Sequence, residues 1–342
     1  MRKDIIYIFL NGIGETLMAI WVCDSIVKKY PNVKIYFLVK RNFSLISDLS
    51  RHYNNNIKVI SYKSKPNIVI GLVAKSIHKD KLVVTPPTFG KISLLNKVFA
   101  FILALPNFKE NTYFIDKSKI NLPGTSLRFD YNNLYIDELV KAFNTLNFSL
   151  DKNYVFDTSR LNDDILKNHG LVTDSYCIYH PFASNELRTY PDSLSVKLLI
   201  QISSKYPQMP IIITCTGDTL DRSNNIAKLV ISAATNTNIK VLCDLNILDV
   251  TMLIKRSKIF IGVDTGNVHL AGVLRHNTIL IGNRSNPTWL PYYNSSARIL
   301  FSKRNCSCLG NKRGDCSEML DGNRYYKCMV GIDTRDIVDL IH

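Results

Sequence analysis

Short apolar runs recur along the whole chain, with helical patterns between them. Ile5–Leu10, Val33–Val39, Ile57–Ile60, Ile68–Ile70 and Leu82–Thr85 read as strands in the first half. Ser175–Tyr179, Ile211–Cys215, Ile239–Leu242, Ile259–Val263 and Thr278–Ile281 read as strands in the second. Glu15–Lys29, Leu194–Lys205, Ser223–Ala233 and Val250–Arg256 carry helical spacing. Strand–helix alternation over the full length implies parallel sheets covered by helices. The expected fold class is α/β, with two Rossmann-like domains and no internal sequence repeat. The boundary is expected in the polar stretch Asp151–Thr173, giving domains at 1–160 and 161–342. In such pairs a ligand lies in the cleft between the domains, at the C-terminal ends of the strands.

The chain has 342 residues, enough for two domains of ordinary size, and 46% of them are hydrophobic. Disorder is therefore not expected. The longest apolar run, Val98–Leu105, is far shorter than the roughly 20 residues of a membrane span. The start, Met-Arg-Lys-Asp before Ile5–Leu10, has no signal-peptide pattern. A soluble, cytoplasmic protein is expected. Of the formal charge of +15, residues 1–150 carry +11. That imbalance points to an anionic partner for the first half, unless it is only a solvated lysine surface. No basic run is dense enough for nucleic acid, and no zinc-finger or RNA-binding signature is present.

Three turns carry candidate chemistry. The run Ile259–Val263 stops at Asp264-Thr265-Gly266, and a helix-like segment containing His269 follows at once. Fresh backbone N–H groups at a helix N-terminus make an anion site, and a diphosphate fits there. Ile5–Leu10 ends in Asn11-Gly12-Ile13-Gly14-Glu15, which places Glu15 in the first helical turn. A carboxylate there is stabilised by the macrodipole and is well placed as a general base, although it can equally be a plain first-turn residue. The glycines do not match the dinucleotide fingerprint, which argues against an oxidoreductase. After Ser175–Tyr179, Ser184 can bond a phosphate oxygen and Arg188 can clamp one bidentately. Tyr190 and Pro191 read as packing elements that fix this loop.

Taken in order, Gly14-Glu15-Thr16-Leu17, Pro181-x-Ala183-Ser184-x-x-x-Arg188-x-Tyr190-Pro191 and Asp264-Thr265-Gly266-x-x-His269-Leu270-Ala271 resemble glycosyltransferase family 9, the heptosyltransferases of lipopolysaccharide core assembly. The resemblance implies a GT-B fold with two facing Rossmann-like domains, acceptor on the first and donor on the second. It implies inverting transfer of heptose from ADP-heptose, with Glu15 where the family's base is usually Asp. Ser184, Arg188, Asp264, Thr265, Gly266 and His269 would hold the donor, and no metal would be needed for catalysis. Arg188 replaces the common Lys, Phe182 stands where Gly is common, and Tyr190 replaces the usual Trp. The implied acceptor is an anionic, lipopolysaccharide-core glycan, with a protein acceptor as the alternative. Peripheral contact with the cytoplasmic face of the inner membrane would suit the basic first half. The segment Leu94–Phe108 reads either as a plain core helix or as a helix lying at a lipid surface. A non-catalytic sugar-nucleotide binder is the remaining reading.

Cys23, Cys177, Cys215 and Cys243 lie in apolar runs and read as buried small hydrophobes. Cys306, Cys308, Cys316 and Cys328 cluster in a Gly-, Lys- and Arg-rich segment, 306–328. In a reducing compartment four thiolates so close in sequence suit tetrahedral zinc or iron in a structural role. The resemblance adds that the branch of the family acting on autotransporter proteins has a four-cysteine metal site.

Overall fold

The structure is a computed structural model that describes residues 4–9, 13–39, 47–48, 56–61, 81–85, 112–115, 125–127, 130, 133–151, 153–159, 161–234, 237–282, 288, 290–302, 319–320 and 325–342. The chain forms two compact units, Met1–Arg160 and Leu161–His342.

In the first unit β1 (Asp4–Phe9), β2 (Ile35–Val39), β3 (Ile57–Ser61), β4 (Lys81–Thr85), β5 (Thr112–Ile115) and β6 (Thr125–Leu127) form one sheet in the order β3-β2-β1-β4-β5-β6. Every pairing in it is parallel. Helix α1 (Ile13–Lys29) follows β1, and from Leu17 to Val27 it is buried on all sides, an apolar stretch interrupted by Asp24 and Ser25. Helix α2 (Tyr135–Thr145) packs against it. The segment after α2 is then strapped to α1. Trp21 Nε1 donates to the Tyr154 carbonyl at 2.9 Å, the Tyr154 hydroxyl bonds the buried Asp24 carboxylate, and Lys28 pairs with Asp157 at 3.1 Å.

The second unit repeats the plan. After α3 (Asp164–His169) come β7 (Cys177–His180), α4 (Asp192–Lys205), β8 (Ile211–Cys215), α5 (Leu220–Ala233), β9 (Ile239–Cys243), α6 (Ile247–Arg256), β10 (Ile259–Val263), α7 (Gly266–Val273), β11 (Thr278–Gly282) and β12 (Ala297–Phe301). The sheet order is β12-β11-β10-β7-β8-β9, again wholly parallel. All side chains of β8, β10 and β11 are buried, which is why these strands read as continuous apolar runs. A small hairpin, β13 (Met319–Leu320) with β14 (Tyr325–Tyr326), leads into α8 (Lys327–Val330) and α9 (Thr334–Val338). Met329, Ile332, Ile337 and Ile341 complete the core beside α4.

Counted from its first strand, each sheet has the doubly wound order 3-2-1-4-5-6, and the chain changes direction between the first and fourth strands. Ligands of such sheets bind at that switch point, outside the C-terminal ends of the strands. It lies between β1 and β4 in the first unit and between β7 and β10 in the second.

Several expected boundaries shift for local reasons. The strand expected from Ser175 starts at Cys177, because Ser175 N–H and hydroxyl both turn back to the Val172 carbonyl and Asp174 adopts a left-handed φ of 58°. The strand expected from Val33 starts at Ile35, since Val33 N–H closes a turn on Tyr30. Helix α6 begins three residues early because the Asn246 side chain accepts from the N–H groups of Leu248 and Asp249. Strands β5, β6 and β12 were not anticipated. The expected strand Ile68–Ile70 and the segment Leu94–Phe108 lie outside the described residues. Cys23, Cys177 and Cys215 are buried as expected, but Cys243 is partly exposed, because β9 is the edge strand. Among the described residues no helix is long and apolar enough to cross a membrane.

Candidate functional site

The switch point of the second unit brings two of the three candidate turns side by side. Register pairs Ile259 with Cys177 and Gly262 with His180, so β7 and β10 end together. The loop 181–191 leaves one strand and Asp264-Thr265-Gly266 leaves the other. Gly262 lets the strands approach closely at this seam: a Cβ there would lie 2.9 Å from the Phe260 ring and 3.2 Å from the His180 carbonyl, so the ring would have to move.

Three candidate side chains meet at the turn. Arg188 Nη1 lies 3.5 Å from Asp264 Oδ2, and His269 Nε2 lies 3.6 Å from Asp264 Oδ1. Asp264 and His269 are nearly buried, whereas the Arg188 side chain keeps a third of its surface exposed. Thr265 is the N-cap residue of α7 with an extended backbone, and Gly266 opens the helix. The Thr265 hydroxyl does not cap the helix; its oxygen and His269 Nδ1 are buried with no hydrogen-bond partner. Leaving such atoms unpaired costs about 1–3 kcal/mol each, so unpaired pairs of this kind call for an explanation.

The 181–191 loop is closed on itself. Ala183 N–H donates to Thr189 Oγ1 at 3.0 Å and Tyr190 N–H to the Pro181 carbonyl at 2.9 Å. Tyr190 is fully buried and its hydroxyl donates to the Ile332 carbonyl at 3.0 Å, tying the loop to the C-terminal helices. This is the packing role its sequence context suggested. Asn185 caps a single 3-10 turn, Glu186–Arg188, that presents Arg188, while Ser184 stands exposed just before it. Glu15 sits in the first turn of α1, half-buried, in the other unit. Of the cysteine cluster, Cys328 is buried at the start of α8, and Cys306, Cys308 and Cys316 lie outside the described residues.

Two residues of this end of the sheet were not singled out from the sequence. Arg222 of α5 pairs with Glu186 and Asp192 at this loop, and nothing local to Arg222 signals that. His180 closes β7, and its Nδ1 lies 3.0 Å from the Thr214 carbonyl. The same Nδ1 lies 3.0 Å from the Thr214 hydroxyl oxygen, so Thr214 meets the ring with both an acceptor and a hydroxyl. Burial pushes the His180 pKa down to about 4, against the opposing pull of that bond to Thr214. The imidazole is neutral at physiological pH.

Two doubly wound units, each with a wholly parallel sheet, are the architecture of GT-B glycosyltransferases. The sequence profile of glycosyltransferase family 9 (heptosyltransferase) matches residues 138–318, more than half of the chain, and the chain belongs to that family. It is a glycosyltransferase. Solved structures agree on the fold. ADP-heptose lipopolysaccharide heptosyltransferase II of E. coli superposes with a TM-score of 0.70 at 13% identity, covering 98% of this chain and 97% of that one. A family 9 glycosyltransferase of Veillonella parvula DSM 2008 gives 0.71 at 14%, covering 99% and 96%. TibC, a dodecameric iron-containing heptosyltransferase of enterotoxigenic E. coli solved with ADP-D-beta-D-heptose, gives 0.59 at 12%, covering 99% and 75%. No curated protein matches at the level of sequence.

The neutral His180 has a measurable consequence. Its folded pKa of about 4 lies below the ordinary 6.5, so the unfolded chain binds the proton first. His180 stability is therefore whole above about pH 6.5 and is lost as the pH falls toward 4. Buried His276, also pushed down to about 4, adds to the same window. Urea midpoints measured from pH 7 to 4 should fall less steeply in His180→Gln than in the unsubstituted protein; parallel curves would show that His180 is not held neutral.

Proposed function

We propose that the chain moves a heptose from ADP-heptose to an anionic acceptor of the lipopolysaccharide core, with inversion at the anomeric carbon. The observation that carries the reading is the cluster of Arg188, Asp264 and His269 at a helix N-terminus on the switch point of a family 9 chain. An arginine, a hydroxyl and fresh helix N–H groups suit a diphosphate, and the unpaired Thr265 oxygen suits a ligand that completes the turn. Relatives of the same fold include a protein named as an ADP-heptose lipopolysaccharide heptosyltransferase and one solved with ADP-heptose.

In this reading Arg188 leaves Asp264 for a phosphate oxygen when the donor enters. The released Asp264 carboxylate then accepts from sugar hydroxyls, and Ser184, Thr265 and Gly266 bond the diphosphate. His269 holds the turn through Asp264. Glu15 removes the proton of an acceptor hydroxyl as that oxygen bonds to the anomeric carbon. The bond from that carbon to the diphosphate oxygen breaks, and ADP leaves with the electron pair. Charge builds on the leaving oxygen, where Arg188 and the α7 N–H groups are aimed. The first unit, which holds most of the positive charge, receives the acceptor on the cytoplasmic face of the inner membrane.

Calorimetric titration with ADP and with ADP-heptose tests the donor site. Arg188→Ala should weaken both by about tenfold or more, as loss of a charged phosphate contact does. Unchanged affinity in that variant, or no binding by the unsubstituted chain, contradicts the reading.

Cys306, Cys308, Cys316 and Cys328 are proposed to hold one zinc or iron ion in a structural role. Four thiolates are a complete tetrahedral donor set, and TibC is itself iron-containing. Elemental analysis of protein purified without an affinity tag should find about one metal per chain. A value near zero, with all four thiols titratable, contradicts it.

A further inference from the structure

We infer that Arg222 is a positioning residue for the donor site, acting through Arg188. The inference rests on the diphosphate reading of the loop 181–191. Arg222 comes from α5, yet its guanidinium reaches three separated points of that loop. Nη1 lies 2.8 Å from Glu186 Oε1, at the first residue of the turn that ends in Arg188. Nη2 and Nε bind the Asp192 carboxylate as a fork, at 2.6 and 3.1 Å, where the loop enters α4. The guanidinium carbon Cζ also lies over the Phe182 ring, 5.1 Å from its centroid, where the loop begins. One side chain thus ties the beginning, the middle and the end of the loop.

Its chemistry fits a clamp rather than a contact to substrate. Burial opposes its charge, but the hydrogen bonds to Asp192 and Glu186 hold its pKa above the ordinary arginine value. Its fork is occupied by two carboxylates, so its charge is already balanced and adds little to the pull on a phosphate. A lysine could offer only a point charge to two carboxylates and no planar face to Phe182. The turn is also flanked by β14 of the C-terminal hairpin, which runs beside Glu186–Arg188. Within this frame the 3-10 turn presents Arg188 toward Asp264 before any ligand arrives. The clamp therefore sets how much ordering the donor must supply, and acts on donor affinity rather than on the chemical step.

A double-mutant cycle tests this with the full chain, using ADP affinity by calorimetry and donor and acceptor KM in turnover. Arg222→Ala should weaken ADP by about tenfold and raise donor KM equally, leaving acceptor KM and kcat at saturating donor within about threefold. The variant Arg188→Ala with Arg222→Ala should bind ADP no more weakly than Arg188→Ala alone. Losses that multiply, or unchanged ADP affinity in Arg222→Ala, overturn the inference while the donor reading stands. Unchanged affinity in Arg188→Ala rejects the donor reading and this inference with it. Should Arg222→Ala not fold, Arg222→Lys carries the same comparison, because it keeps the charge and loses the fork.

Discussion

The backbone ladder between β7 and β10 is the constraint on which the rest of the donor end depends. These strands are far apart in sequence, and only the reversal of strand order makes them neighbours. Once paired, they deliver the loop 181–191 and the Asp264 turn to one place. The seam is crowded at Gly262, where a side chain would displace the Phe260 ring and press on the His180 carbonyl. The order is imposed by apolar burial: a fully covered parallel sheet has to place its most apolar strands in the middle, and β8, β10 and β11 are covered throughout.

Around that seam the polar groups fall into two kinds. One kind is closed and structural: Arg222 with Glu186 and Asp192, Tyr190 with the Ile332 carbonyl, Ala183 N–H with Thr189. The other kind is left open. Arg188 is held by a single long ion pair and remains partly exposed, and the Thr265 oxygen and His269 Nδ1 are buried without partners. A rigid, satisfied frame around a few unsatisfied groups is what a binding site needs, since the frame bears the cost of ordering before the ligand arrives.

Much of this was legible in the sequence. The runs at 211–215, 259–263 and 278–281 stand in the structure as β8, β10 and β11, because strands covered on both faces are written as unbroken apolar stretches. The Asp264 turn was visible for the same reason: the run ends abruptly in small and polar residues. Strand β12, partly exposed along its whole length, was not visible, since an uncovered strand has no need of apolar continuity. Cys243 looked buried from its neighbours, but an edge strand exposes what a central one hides. Arg222 was beyond reach. Its partner Glu186 lies 36 residues earlier, and the pattern around Arg222 is that of any helix surface. Local patterns report covering and turning; they carry no record of which distant loop a long side chain grips.

The proposed function assigns the acceptor proton to Glu15 and the departing diphosphate to Arg188. Heptose transfer from ADP-heptose to a lipopolysaccharide-core acceptor, followed by mass spectrometry for the unsubstituted chain and for Glu15→Gln, tests this most directly. Transfer is expected from the former and a kcat lower by about 100-fold or more in the latter, with ADP affinity unchanged. Turnover within a few-fold in Glu15→Gln, or no transfer by the unsubstituted chain, would contradict it.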